Sequence, residues 1–136
     1  MKNLLFLLLL LTLPVAAQDL DVRRSGSLWG RVESDGSIRI EGSLRGKFES
    51  DGDVRNAGSI VGKIESDGTI RKSGSLWGKL ESDGTIRIKG SIFGKLDGST
   101  IRKHGSIWGS WSGGSGFDSM RKVAATLLFF KSGYAD

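Results

Sequence analysis

Residues 74–89 read GSLWGKLESDGTIRIK, and this sixteen-residue unit recurs from Gly26, Gly42, Gly58 and Gly90, with a partial copy from Gly105. The unit that begins at Gly90 is one residue short, and Asp21 to Ser25 match the tail of a unit. A fixed period decides the fold class before any single residue does. Propeller blades, leucine-rich repeats and helical repeats need roughly 20 to 50 residues, so sixteen is too short for them. It is the length of one coil of a small β-solenoid.

Inside a unit the apolar residues alternate. Ile38, Phe48, Val54, Ile64, Ile70, Leu80, Ile86 and Leu96 hold even numbers, as do Leu44, Ile60, Leu76 and Ile92. Period two is the strand signal, and it predicts an even face turned to a core. The deletion near Gly98 flips the parity, so Ile101 and Ile107 carry the apolar face at odd numbers. Glu-Ser-Asp-Gly segments supply corners, because Gly accepts positive φ and Asp favours turns. Of the 21 glycines, 17 lie between Gly26 and Gly109, at the same three places in each unit. The expected class is all-β: a small β-solenoid of 16-residue coils followed by a short C-terminal helix. The alternative is an antiparallel β-meander of repeated hairpins, two strands per unit.

The ends of the chain read differently. Lys2, the apolar run Leu4 to Leu13 and the small residues Val15-Ala16-Ala17 have the layout of a cleaved export signal over residues 1–17. The run is shorter than the about 20 residues a membrane span needs. The sequence then divides into a repeat domain at 18–111, a Gly/Ser linker at 112–117 and a helical segment at 118–136. In that segment Asp118 is placed to cap a helix with Val123, Ala124, Leu127, Leu128 and Phe130 on its apolar side. Its expected role is to cover an open solenoid end or an aromatic stripe, because bare edges pair with other chains.

The odd columns are where function is expected. One carries Arg39, Arg55, Arg71 and Arg87, a second Lys47, Lys63, Lys79 and Lys95, a third Glu33, Glu49, Glu65 and Glu81. The adjoining acid column argues against a nucleic-acid surface, which wants one sign of charge. Trp29, Trp77, Phe93 and Trp108 form an aromatic column that parity points outward, and exposed aromatic stripes mark contact surfaces. Together with Lys63, Lys79 and Lys95 they are the candidate partner surface. The chain has no Cys and a lone His104, which removes thiol nucleophiles, disulfides and the usual zinc sets. Turn chemistry accounts for Asp35, Asp51, Asp67 and Asp83 without calcium. Carboxylates spread evenly over the units single out no catalytic site. No enzyme activity, cofactor or metal is expected.

The GSIxGKIESDGTIR units and the ending Ala124-Ala125-Thr126-Leu127-Leu128-Phe129-Phe130 resemble those of exported bacterial short-repeat proteins. The stacked Gly-x-Ile-x-Gly pattern is also similar to the bactofilins, cytoskeletal β-helices that polymerise end to end. The first resemblance implies a secreted or periplasmic repeat protein, the second a capacity for self-association. The function expected is a non-catalytic structural or binding module of the envelope. Its expected partners are an envelope polysaccharide, another envelope protein or a second copy of itself, and not nucleic acid.

Overall fold

The computed structural model describes residues 18–136. The expected leader at 1–17 lies outside the described residues. Each full unit contributes one four-residue and one six- or seven-residue strand. Among the described residues the order is β1 (Leu20–Arg24), β2 (Ser27–Val32), β3 (Ser37–Ile40), β4 (Ser43–Phe48), β5 (Asp53–Asn56) and β6 (Ser59–Ile64). It continues with β7 (Thr69–Lys72), β8 (Ser75–Leu80), β9 (Thr85–Ile88), β10 (Ser91–Asp97), β11 (Thr100–Lys103) and β12 (Ser106–Ser112), and ends in helix α1 (Phe117–Phe129).

Every strand pairs antiparallel with its sequence neighbours, and β1 pairs with β12 to close a twelve-stranded barrel. The expected solenoid is therefore corrected. Equivalent residues do not stack from coil to coil, because both Gly-containing segments of each unit reverse the chain. At one end, two-residue turns such as Glu41-Gly42 have positive φ at both positions, 51° and 85°, the type I′ geometry whose twist matches a hairpin. At the other end, Glu33 to Gly36 make a longer loop in which Gly36 N–H donates to the Glu33 carbonyl and Ser37 N–H to Asp35 Oδ1. The one-residue deletion reduces the last such loop to Gly98-Ser99, with Asp97 paired to Thr100. These are called the turn end and the loop end below.

A four-residue strand cannot pair residue for residue with a six-residue one. Between β3 and β4, Ile38 faces Gly46 and Arg39 faces Leu44, so Arg45 is left unopposed. The same bulge recurs in every hairpin of the turn end, leaving Trp29, Val61, Trp77, Phe93 and Trp108 as the extra residues, while the hairpins of the loop end pair without one. A bulge reverses which face the following residues occupy. Residues on the loop side of it follow the parity rule: Ile38, Val54, Ile64, Ile70, Leu80, Ile86 and Ile101 are fully buried. On the turn side of the longer strand the rule inverts, while Ile40 and Ile88 on the shorter strands keep it and pack against the core. Leu28, Leu44, Ile60, Leu76, Ile92 and Ile107 are 44–70 % exposed, whereas Trp29 is buried and Val61, Trp77, Phe93 and Trp108 pack against the core. The outward aromatic column and the inward Leu44, Ile60, Leu76, Ile92 and Ile107 are thus both overturned, by one extra residue per hairpin.

Twelve strands about 4.8 Å apart and tilted by about 40° enclose a backbone radius of roughly 12 Å, too wide for wall side chains to fill. Helix α1 fills it. Val123 to Leu128 are buried without interruption, all round the helix rather than on one side. Its contacts go around the wall: a Cβ at Gly30 would touch Thr126, one at Gly46 Phe130, and one at Gly94 the Tyr134 hydroxyl. Arg121 Nη2 donates to the Ile64 carbonyl (2.6 Å), and Asn56 Nδ2 to that of Phe129 (3.2 Å). The helix enters at the loop end, where Phe117 lies by Gly68, and its tail leaves at the turn end, where Tyr134 Oη donates to the Arg102 carbonyl (2.6 Å). Gly116, not Asp118, is the N-cap; Asp118 sits in the first turn and pairs with Arg121 (3.0 Å) and Lys122 (3.3 Å). The expected cap of an open end is corrected to an internal plug that covers the aromatic column from inside, with Trp77 against Phe129 and both Phe93 and Trp108 against Tyr134.

Candidate functional site

With the lumen occupied, repeated chemistry is displayed on the outer wall. The I′ turns set its upper edge. Two residues after each turn glycine stands one exposed aliphatic residue, and across the hairpin from it an arginine: Arg39 with Leu44, Arg55 with Ile60, Arg71 with Leu76, Arg87 with Ile92. Six equivalent positions on a closed barrel form a collar that alternates Arg and Leu or Ile.

Four arginines of this collar are held by glutamate. Nε pairs with the glutamate that opens the preceding loop: Arg39 with Glu33 (3.0 Å), Arg55 with Glu49 (2.7 Å), Arg71 with Glu65 (2.6 Å) and Arg87 with Glu81 (3.3 Å). In Arg39, Arg55 and Arg87 the Nη1 group also donates to a turn-glycine carbonyl, that of Gly42, Gly58 and Gly90 respectively. Such half-exposed pairs contribute about 0–1 kcal/mol each, so their effect is on orientation more than on stability. The acid column thus pairs with Arg, and the Lys column is left over. Lys63 approaches Asp53 at 3.8 Å, while Lys79 and Lys95 have no acidic partner within 4.0 Å among the described residues.

Of the expected surface residues, Lys63, Lys79 and Lys95 stand on the outer wall. Trp29, Trp77, Phe93 and Trp108 are brought together on the lumen side instead, Trp29 and Trp108 edge to face at 6.1 Å. The parity rule places the collar aliphatics in the core, and the bulge turns them out to solvent. Their signal was the mismatch of a four-residue and a six-residue run between successive turns, which demands a bulge.

Grooves open between neighbouring hairpins below the turns. One of about 430 Å³ is lined by Leu76, Gly78, Lys79, Arg87, Lys89 and Gly90. Another of about 350 Å³ lies at the equivalent place three units earlier, with Leu28, Arg31, Arg39 and Gly42, and with the carboxylate of Glu41 where the first groove has Lys89. Each sets an aliphatic wall beside cationic side chains. At the loop end the shortened Gly98-Ser99 turn leaves a concavity of about 470 Å³ over Leu96, Trp111 and Met120.

The acidic groups of the loops are already engaged. Asp35, Asp51, Asp67 and Asp83 each accept the N–H two residues on (2.9–3.0 Å), and this bond to the charged form holds their carboxyls below the usual range. Glu49, Asp51 and Asp53 lie within 4.8 Å of one another, but they serve Arg55, the Asp53 amide and Lys63.

Charge is segregated along the barrel. Assigning each charged residue of 18–136 to the nearer end gives twelve basic and two acidic at the turn end, against seven basic and thirteen acidic at the loop end, and five of the turn-end arginines are ion-paired with five of the loop-end carboxylates. The outer wall is charged and the interior apolar, the reverse of the pattern of a lipid-embedded barrel. No helix among the described residues is long and apolar enough to cross a membrane. No family model, no curated protein and no solved structure matches this chain.

Proposed function

We propose that this is a non-catalytic binding module of the cell envelope, secreted or periplasmic, which engages an envelope polysaccharide through repeated contacts on its outer wall. The observation that carries this reading is repetition. The same exposed aliphatic residue, held arginine and outward Lys or Arg recur around a closed and internally plugged barrel, and no unit departs from the others in the manner of a catalytic centre. A rigid ring of like sites gains affinity by multivalency, each contact being weak alone. Co-sedimentation of the purified protein with isolated, protein-free envelope polysaccharide tests it. Retention with the polysaccharide is expected, and complete recovery in the supernatant would count against it.

The charge segregation favours a second reading, end-to-end self-association. Outside the five ion pairs that span the division, five positive charges are in excess at one end and one negative at the other, which is complementary between stacked copies, and such a head-to-tail contact does not close on itself. Sedimentation velocity over a range of concentrations separates the two. A filament former grows with concentration and shrinks with added salt, whereas a glycan-binding module stays monomeric.

A further inference from the structure

We infer that the collar grooves bind linear polyuronates, sugar polymers with a carboxylate on each ring, and that the Leu76–Lys79–Arg87 groove is one complete site. This rests on the reading of the chain as an envelope glycan-binding module. Within the groove Leu76 offers an aliphatic wall that is 70 % exposed, a surface on which the C–H face of a pyranose packs. Beside it Arg87 is aligned by Glu81 and the Gly90 carbonyl, which leaves Nη2 without a role in the collar. Lys79 and Lys89 add two further cations to the lining of the groove. A ring and a carboxylate on the same monomer fit an apolar wall and a cation that are this close; a neutral glycan uses only the wall, a detached anion only the cations.

The polymer follows from the repetition. The pairing of an exposed aliphatic residue with an arginine recurs at every second strand, roughly 13 Å apart at the backbone of a tilted twelve-stranded wall. A chain of a few sugars reaches from one to the next, so affinity rises steeply with length. The polar turn tips lie beyond the aliphatic ring, so pressing the ring into a bilayer would drag Glu41 and Lys89 deeper than the side chains that favour it. A lipid surface is therefore the weaker fit.

The experiment is a binding titration of the purified protein with digalacturonate, long polygalacturonate, neutral dextran, dextran sulfate and phosphatidylglycerol vesicles. Polygalacturonate is expected to bind at least a hundredfold more tightly than digalacturonate. The pairs Leu76→Ser with Ile92→Ser, and Lys79→Gln with Lys95→Gln, are each expected to weaken it tenfold or more with the melting temperature unchanged. Equal binding of dextran sulfate that ignores the Leu76 and Ile92 changes would reduce the effect to bulk charge and overturn the inference. So would binding confined to the vesicles. Retention on neutral envelope glycan that neither pair affects would overturn the inference and leave the module reading standing; no retention on any glycan removes both.

Discussion

Leu76 and Trp77 are adjacent on β8, yet the Leu76 side chain stands in solvent while the Trp77 ring lies 5.8 Å from that of Phe129 in the lumen. The bulge that separates them makes opposite predictions for two neighbours. Trp77→Ala removes a partly buried ring from the plug and is expected to cost about 3 kcal/mol. Leu76→Ala touches nothing buried and is expected to stay within about 0.5 kcal/mol of the parent. Urea denaturation of both variants checks this. Had β8 kept strict alternation through this region, the two costs would be reversed.

Gly62 tests the position of the helix. A Cβ there would fall against the Phe129 ring and 2.7 Å from the Arg71 carbonyl. Gly62→Ala is expected to cost about 1–3 kcal/mol by overpacking. Trimming the ring opens the space again, so Gly62→Ala in a Phe129→Ala background is expected to cost less than in the parent, with a coupling of about 1 kcal/mol. A double-mutant cycle on unfolding midpoints measures it, and strict additivity would mean that the helix does not press on this strand.

Tyr134 anchors the tail beyond the helix. Its ring meets Phe93 at 5.3 Å and Trp108 at 5.6 Å, and its hydroxyl donates to the Arg102 carbonyl. Burial pushes the phenol above its usual range, so it stays protonated as a donor. Tyr134→Phe is expected to cost about 1 kcal/mol for the lost hydrogen bond. Tyr134→Ala is expected to cost about 3–5 kcal/mol, because the plug then ends short of the turn end. Thermal melts of both distinguish a hydrogen-bond role from a packing role.

Much of this was legible in the sequence. The 16-residue period and the parity of Ile38, Ile70 and Ile86 predict strands with the correct buried residues near the loops, and the parity flip at Gly98 predicts the buried Ile101. Pairing was harder. Two turns per unit serve a coil as well as a hairpin, and the difference rests on whether Glu41-Gly42 and its equivalents take the I′ conformation, which this chain forms with Ser, Glu, Ala, Lys or His before the Gly and not with the Asn or Asp that signals it. Bulges were harder still, since the apolar alternation reads the same across Leu44 while the backbone changes face. The wrong side for Trp77 and the missed collar are one error. The destination of the helix follows from neither period nor composition, but from the width of a twelve-stranded lumen, known only once closure is known.

The loops make the stability pH-dependent in a defined direction. Asp35, Asp51, Asp67 and Asp83 have carboxyls held below their ordinary value by the backbone amides of Ser37, Asp53, Thr69 and Thr85. A depressed folded-state value means that the stabilisation is fully present above the unfolded value near 4 and is lost as pH falls through the folded one. Asn at these four positions keeps the oxygen that accepts the amide but cannot titrate. The quadruple Asp→Asn variant is therefore expected to lose less melting temperature than the parent between about pH 5 and pH 2, while retaining the barrel fold at pH 7. Parallel melts of parent and variant across that interval decide the matter. Equal losses would show that the loop aspartates act as turn formers only, with no part in the acid transition.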